Sequence, residues 1–304
     1  MAFDLSNLLV IGISSRALFD LSIENKIYEK EGLEAYCKHQ LEHENSILKP
    51  GAGFALIQSI LKINQLKDSK KRVEVVIVSR NSADTSLRIS NSIDHYQLDI
   101  TRAAFTGGEP VAKYLNAFEV DLFLSAFEQD VQDAVQCQVA SGIIYETSKT
   151  HEAKSIDQIR IAFDGDAVLF SEESELIYQT QGIDAFIQHE QKNAQNPLPE
   201  GPFAKLLKTL SFMQFDLKSD RENDHDSPIR TALVTARNSP AHERVIRTLR
   251  AWNVRVDETF FLGGVAKGKI LSAFKPHIFF DDQHSHCDPA SKLVPTARVP
   301  TKES

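Results

Sequence analysis

The chain has 304 residues, 42% of them hydrophobic, and a formal net charge of -8; that is longer than one average domain, with enough apolar material to fill two cores. Acidic and basic residues are interspersed without a basic block, which excludes a surface built for a nucleic-acid polymer. Cys37, Cys137 and Cys287 lie far apart with no CxxC pair, and no apolar run approaches the roughly 18 residues that span a bilayer, so the expectation is a cytoplasmic protein with reduced thiols and no membrane partner.

In chain order, LLVIGI from Leu8 reads as a strand that opens into the bend SSRALFD. VEVVIV from Val73 and DLFLSA from Asp121 are short apolar runs that stop at polar turns, the pattern of buried strands. The polar stretch ETSKTHEAKSIDQ from Glu146 reads as a linker between two domains, residues 1–150 and 151–304. After it come the run IAF with the carboxylate pair Asp164 and Asp166, an exposed loop KSDRENDHDS from Lys218, and the strand RTALVT from Arg230. The helically spaced SPAHERVIRTLRAW from Ser239, the strand HIFFDD from His277 and a frayed tail PTKES complete the chain. Strands alternating with helices predict an α/β fold with parallel sheets, whose ligands sit at the carboxyl ends of the strands.

The chain also repeats itself. A shift of 150 positions lays IGISSRALF from Ile11 over IAFDGDAVL from Ile161 and matches Tyr28 with Tyr178, Gly32 with Gly182, and His39 with His189. After a slip, VEVVIVSRNS from Val73 lies over RTALVTARNS from Arg230, and AAFTGG from Ala103 over TFFLGG from Thr259. The sequence thus predicts one unit used twice.

The copies differ at their strand ends. The second carries Asp164, Asp166, Thr235, Lys267, Asp281 and Asp282, where the same matching gives Ser14, Arg16, Val78, Val111, Ser125 and Ala126. Residues that change as a set read as one site. Two carboxylates at i and i+2 on an extended strand end project to the same side, and Gly165 between them leaves room for a substrate oxygen. In phosphoryl chemistry Asp164 could attack phosphorus while Asp166 protonates the leaving oxygen and then activates water. Thr235 can donate to a phosphate oxygen, Lys267 can offset transition-state charge, and magnesium suits the oxygen donors of Asp164, the Asp166 carbonyl and Asp281. An EF-hand reading of Asp164, Asp166 and Glu175 fails, because Val168 and Leu169 occupy the ligand and glycine positions. The stretch DDQHSHCD matches no zinc spacing and reads as a polar loop. Phe163, Phe170 and Phe203 read as core residues sooner than as partners of a base. His39 and His189, like the pair Arg80–Asn81 against Arg237–Asn238, are shared by both copies and fit a structural role as well as substrate contact.

The ordered set DGDAV, VTAR, AKGK and IFFDD resembles the haloacid dehalogenase superfamily of phosphatases. The longer stretches SSRALFD, CKHQLEHEN, RNSADTSLRISNSIDHY, RIAFDGDAVLFSEESE, GPFAKLL, LVTARN and PHIFFDDQ are similar to the cytosolic 5'-nucleotidase I family, from about Leu8 to Asp282. The resemblance implies two duplicated Rossmann-like, haloacid dehalogenase-like units with mainly parallel sheets, the second alone catalytically complete. It also implies Mg2+-dependent hydrolysis of nucleoside 5'-monophosphates, AMP prominently, and assembly into a homo-oligomer. Carried over residue by residue, it makes Asp164 the nucleophile, Asp166 the acid/base, Thr235 the phosphate-binding hydroxyl, Lys267 the charge-neutralising cation and Asp281 the metal carboxylate. Asp282 would act on the metal through a water, and Gly165, Ala236, Arg237, Asn238 and His189 would line the substrate. The first copy is expected to pack on the second and to offer Ser14, Ser15 and Arg16 to the nucleotide or to a nucleotide effector. A phosphatase or phosphotransferase for another small metabolite, and a non-enzymatic nucleotide-binding protein, are the alternatives.

Overall fold

The computed structural model describes residues 4–66, 70–145, 158–218 and 227–301. The chain divides into two compact units, Met1–Lys154 and Ser155–Ser304. The expected linker, the expected loop after Lys218 and the last three residues of the expected tail fall outside the described residues, save Gln158, Ser227 and Lys218.

The first unit contains β1 (Leu9–Ile13), β2 (Phe19–Asp20), β3 (Lys49–Pro50), β4 (Val73–Ser79), β5 (Arg102–Phe105), β6 (Leu122–Ser125) and β7 (Ala140–Ile144). Five of these form a parallel sheet in the order β7-β6-β1-β4-β5. The second unit contains β8 (Ile159–Phe163), β9 (Ile229–Thr235), β10 (Glu258–Phe261), β11 (Ile278–Asp281) and β12 (Thr296–Arg298), all parallel in the order β12-β11-β8-β9-β10. Numbered along each unit, both sheets run fifth, fourth, first, second, third. The chain therefore reverses its direction of travel beside β1 and beside β8, and a crevice opens at the carboxyl end of each. Every residue of β1 and β4 is buried, as expected of parallel strands covered on both faces. The antiparallel pair β2–β3 has its counterpart in a single bridge between Phe170 and Glu200.

The runs VEVVIV, DLFLSA, RTALVT and HIFFDD are strands, and SPAHERVIRTLRAW contains the helix His242–Ala251. One part of the copy alignment is corrected. Leu9 faces Val73 as Ile159 faces Ile229, and Ser79 faces Phe105 as Thr235 faces Phe261. The counterpart of Thr235 is therefore Ser79, not Val78, and Asn81, not Arg80, stands at the place of Arg237. The chance likeness of SRNS to ARNS draws the sequence match one residue out of register, and in a strand one residue turns every side chain to the other face. Val78 and its true partner Val234 are both core residues. The first unit thus keeps a hydroxyl where Thr235 stands.

Two further features recur. The helical segments Ser22–Glu42 and Glu173–Lys192 break at Gly32 (φ 85, ψ -175) and Gly182 (φ 83, ψ -179), a backbone region that only glycine enters without strain. The edge strands are tied by ion pairs of reversed sense: Arg102 on β5 meets Glu74 on β4 at 2.8 Å, whereas Glu258 on β10 meets Arg230 on β9 at 2.7 Å. A Cβ at residue 182 would meet nothing within 4 Å, so Gly182→Ala tests the backbone alone. Urea unfolding of that variant is expected to show a loss of about 1–3 kcal/mol, with unchanged cooperativity.

Candidate active site

Two adjacent strands and one helix of the second unit deliver the charged groups. β8 runs into Asp164, β11 ends on Asp281, and the short helix Gly268–Phe274 begins directly after Lys267. The Asp164 amide donates to the Phe280 carbonyl at 2.8 Å, which fixes the start of the following turn against β11. Lys267 Nζ lies 2.8 Å from Asp164 Oδ1 and 2.6 Å from Asp281 Oδ2, and all three residues are buried. Asp281 Oδ1 accepts from the Gln283 amide at 2.9 Å and lies 3.2 Å from His286 Nδ1. Ligand atoms of Asp164, Asp281 and His286 all fall within 4.8 Å of one another.

Positive charge is short in this cluster. Burial, with the neighbouring Asp281 and Asp166, raises the Asp164 carboxyl to about 7 in spite of Lys267. Burial, together with Asp164 and Asp281, pushes Asp282 to about 8. Asp281 is also buried, yet its hydrogen bond from His286 and the charge of Lys267 hold it below the ordinary carboxylate value. Burial would strip Lys267 of its proton, but Asp164 and Asp281 keep it charged. Asp164 Oδ1 and Asp282 Oδ1 are buried oxygens without a hydrogen-bond partner; the approach of Lys267 to the former is an ion pair lacking hydrogen-bond alignment.

The turn after Asp164 brings in the second half of the set. Asp166 is extended (φ -68, ψ 142) and Ala167 left-handed (φ 58), so the chain doubles back immediately. A Cβ on Gly165 would lie 3.2 Å from Thr235 Oγ1. The glycine accordingly lets the turn close on the buried hydroxyl at the end of β9, where the sequence suggested only room for a substrate oxygen. Thr235 Oγ1 accepts from the Arg237 amide at 3.2 Å. The Arg237 guanidinium grips both oxygens of Asp166, Nε to Oδ2 at 2.8 Å and Nη2 to Oδ1 at 2.6 Å, and its Nη1 donates to Glu190. Burial opposes the charge on Arg237, but Asp166 and Glu190 reinforce it. Ala236 bridges Thr235 and Arg237, while Asn238 packs its amide against Gly263.

His189 sits 3.3 Å from Arg244 Nη1 and 3.3 Å from Glu173 Oε1, inside the network that supports Arg237. Phe163, Phe170 and Phe203 are fully buried, and Phe163 and Phe203 pack on Phe280, so they belong to the core. Ser14 and Arg16 belong to the first unit, where Ser14 caps the helix Ser15–Leu18 through Ala17 N–H. Beside them the counterparts of Gly165, Thr235 and Arg237 close on one another. Ser15 and Ser79 hydroxyls lie 2.8 and 2.7 Å from Asn81 Oδ1, and Asn81 Nδ2 donates to Tyr36 at 2.7 Å.

Sequence reasoning missed Glu190 and Arg244, and it assigned His286 to a polar loop without joining it to Asp281. A signal for Glu190 was present in the repeat: the shift of 150 sets Glu24 against Ser174 and Gln40 against Glu190, a reciprocal exchange of a carboxylate.

Replacement of Lys267 by Met is expected to leave Asp164 and Asp281 buried without a counter-charge, at a cost of about 3–5 kcal/mol. The loss, read by urea unfolding without added metal, is expected to be larger at pH 8 than at pH 6, because Asp164 with its value near 7 is largely neutral at the lower pH.

A family model described as 5'-nucleotidase matches residues 1–304. Over 295 residues the chain is 39% identical to human cytosolic 5'-nucleotidase 1B, covering 94% of this chain and 48% of the relative, so it spans about half the length of the curated relative it matches. No solved structure matches. Among the described residues, no helix is long and apolar enough to cross a membrane.

Proposed function

Because the chain belongs to the 5'-nucleotidase family, we propose that it hydrolyses nucleoside 5'-monophosphates, AMP first among them, to nucleoside and phosphate, with the second unit as the catalytic one. The observation that carries this reading is the convergence of Asp164 and Asp281, at the carboxyl ends of adjacent parallel strands, on Lys267, with Asp166 on the same turn as Asp164 and Thr235 beside that turn at the end of β9. The first unit, whose equivalent polar groups satisfy one another, is scaffold at that position.

In this reading an Asp164 oxygen attacks phosphorus and the P–O bond to the nucleoside 5'-oxygen breaks, leaving an aspartyl phosphate. Asp166 gives its proton to the departing oxygen, then takes one from the water that attacks the same phosphorus and frees Asp164 and inorganic phosphate. Each Asp166 oxygen accepts a single bond from the Arg237 fork, so a lone pair is left on which the proton can be carried while the fork holds the carboxyl in place. The Thr235 hydroxyl donates to a phosphoryl oxygen, and Lys267 balances the charge that builds between Asp164 and the phosphoryl group.

Magnesium suits the donor set: oxygen ligands predominate, acids outnumber Lys267, and two buried carboxylate oxygens have no hydrogen-bond partner. Asp164, Asp281, Asp282 and the Asp166 carbonyl would hold it. When bound, the ion neutralises the phosphate and the carboxylates around it.

Phosphate release measured across nucleoside monophosphates and sugar phosphates is expected to rank AMP first; a sugar phosphate in first place would move the reading to another small metabolite. In Asp164→Asn, kcat is expected to fall by at least about 10³-fold, and full retention of activity would remove Asp164 as nucleophile. Metal and pH are coupled. Asp164 and Asp282 are raised from 3.8 to about 7 and about 8, so in the metal-free protein stability falls as pH rises from about 4 to about 8, the window in which only the folded chain keeps those protons. Magnesium binds the ionised forms, and its increment in Tm is accordingly expected to be larger at pH 8 than at pH 6.

A further inference from the structure

We propose that Glu190 is a positioning residue for the acid/base: it acts through Arg237 to hold Asp166 in place. This rests on the reading of Asp166 given above.

Glu190 is 1% exposed and lies near the end of the helical segment that breaks at Gly182. Its Oε2 accepts from Arg237 Nη1, while its Oε1 accepts from Arg244 Nη1 at 3.0 Å and from the Ser174 hydroxyl at 2.8 Å. Arg237 turns its other two nitrogens onto Asp166. The guanidinium is thereby fixed at both ends, by Glu190 on one side and the catalytic turn on the other, with the Phe186 ring 5.4 Å from its centre. A planar fork gripped in this way sets the plane and height of the Asp166 carboxylate.

The first unit separates what the fold requires from what the site requires. Arg88 stands where Arg244 stands: each donates through Nε to a backbone carbonyl, Ser46 and Asn196 respectively. The residue one turn on from each, Ser92 or Thr248, bonds back to the arginine's own carbonyl and accepts from Leu48 or Leu198 N–H. Both units therefore need a buried carboxylate for this arginine. In the first unit it is Glu24, 2.6 Å from Arg88, and residue 40 is the neutral Gln40, 3.1 Å from the same arginine. In the second unit the two exchange roles: position 174 is a serine and the carboxylate sits at 190. Charge balance at Arg244 could be met from either position. From position 190 the carboxylate also meets Arg237, and the first unit, with Asn81 there, has no such arginine to hold.

The same exchange supplies the test. Ser174→Glu combined with Glu190→Gln gives the second unit the first unit's arrangement, restoring a counter-charge to Arg244 and withdrawing it from Arg237. With the wild-type full chain, magnesium and AMP, this double variant is expected to unfold within a few degrees of wild type, to keep KM within about twofold, and to lose kcat by about 10-fold to 100-fold, the scale of a misplaced catalytic group. In an Asp166→Asn background the same exchange is expected to leave the residual kcat unchanged, which a general structural defect would not do. A folded double variant with wild-type kcat overturns the proposal, as does an undiminished effect when Asp166 is already Asn. Should the double variant not fold, Glu190→Asp keeps the buried charge one methylene short: reduced kcat with KM kept supports the role, and unchanged kcat overturns it. Absence of AMP hydrolysis by the wild type would instead overturn the functional reading, so the two failures are told apart.

Discussion

The second unit is organised around one ammonium group shared by two buried carboxylates. Lys267 lies within ion-pair distance of both Asp164 and Asp281, and so ties the turn before the helix Gly268–Phe274 to the ends of β8 and β11. A single positive charge cannot satisfy three acids in a medium from which water is excluded. Asp282 is the group left over, and the raised values of Asp164 and Asp282 express the same deficit. The cluster is incomplete as a salt bridge, which is what a site for a cation and a phosphate should be.

A second cluster on the other side of the Asp164–Asp166 turn is balanced. Arg237 and Arg244 face Asp166 and Glu190, two charges of each sign, all with specific hydrogen bonds. The turn is thus held between a charge-deficient patch that can take up a ligand and a charge-balanced one that stays put. The first unit keeps the strand order, the broken helix and an arginine–carboxylate pair, Arg88 with Glu24, but has Ser15, Ser79 and Asn81 where Gly165, Thr235 and Arg237 stand.

What the sequence disclosed and what it concealed divide along physical lines. The central strands were legible because parallel strands buried on both faces must be continuous apolar runs, as VEVVIV and RTALVT are. The edge strands β5 and β10, of mixed exposure, and the short buried strands β7 and β12 were not, since three to five residues carry no distinctive period. Asp164, Asp166, Lys267 and Asp281 stood out because acids and a lysine beside buried strands have no use in the core. Glu190 did not, lying in a helix already rich in polar residues, where only three-dimensional proximity separates a buried carboxylate from a solvated one. The register error at Thr235 has a similar cause: sequence identity rewards matching letters, whereas the sheet enforces which face each side chain occupies.

Two units with the same strand order in one chain carry a hazard that single-unit folds lack, because corresponding strands can pair with the wrong sheet. The edge ion pairs bear on this. Were β10 to lie beside β4, Glu258 would meet the fully buried Glu74; were β5 to lie beside β9, Arg102 would meet Arg230. Like charges on diagonal positions of neighbouring strands repel one another, and at Glu74 there is no solvent to screen them. The reversed sense of one ion pair therefore disfavours an exchange of edge strands between the two sheets.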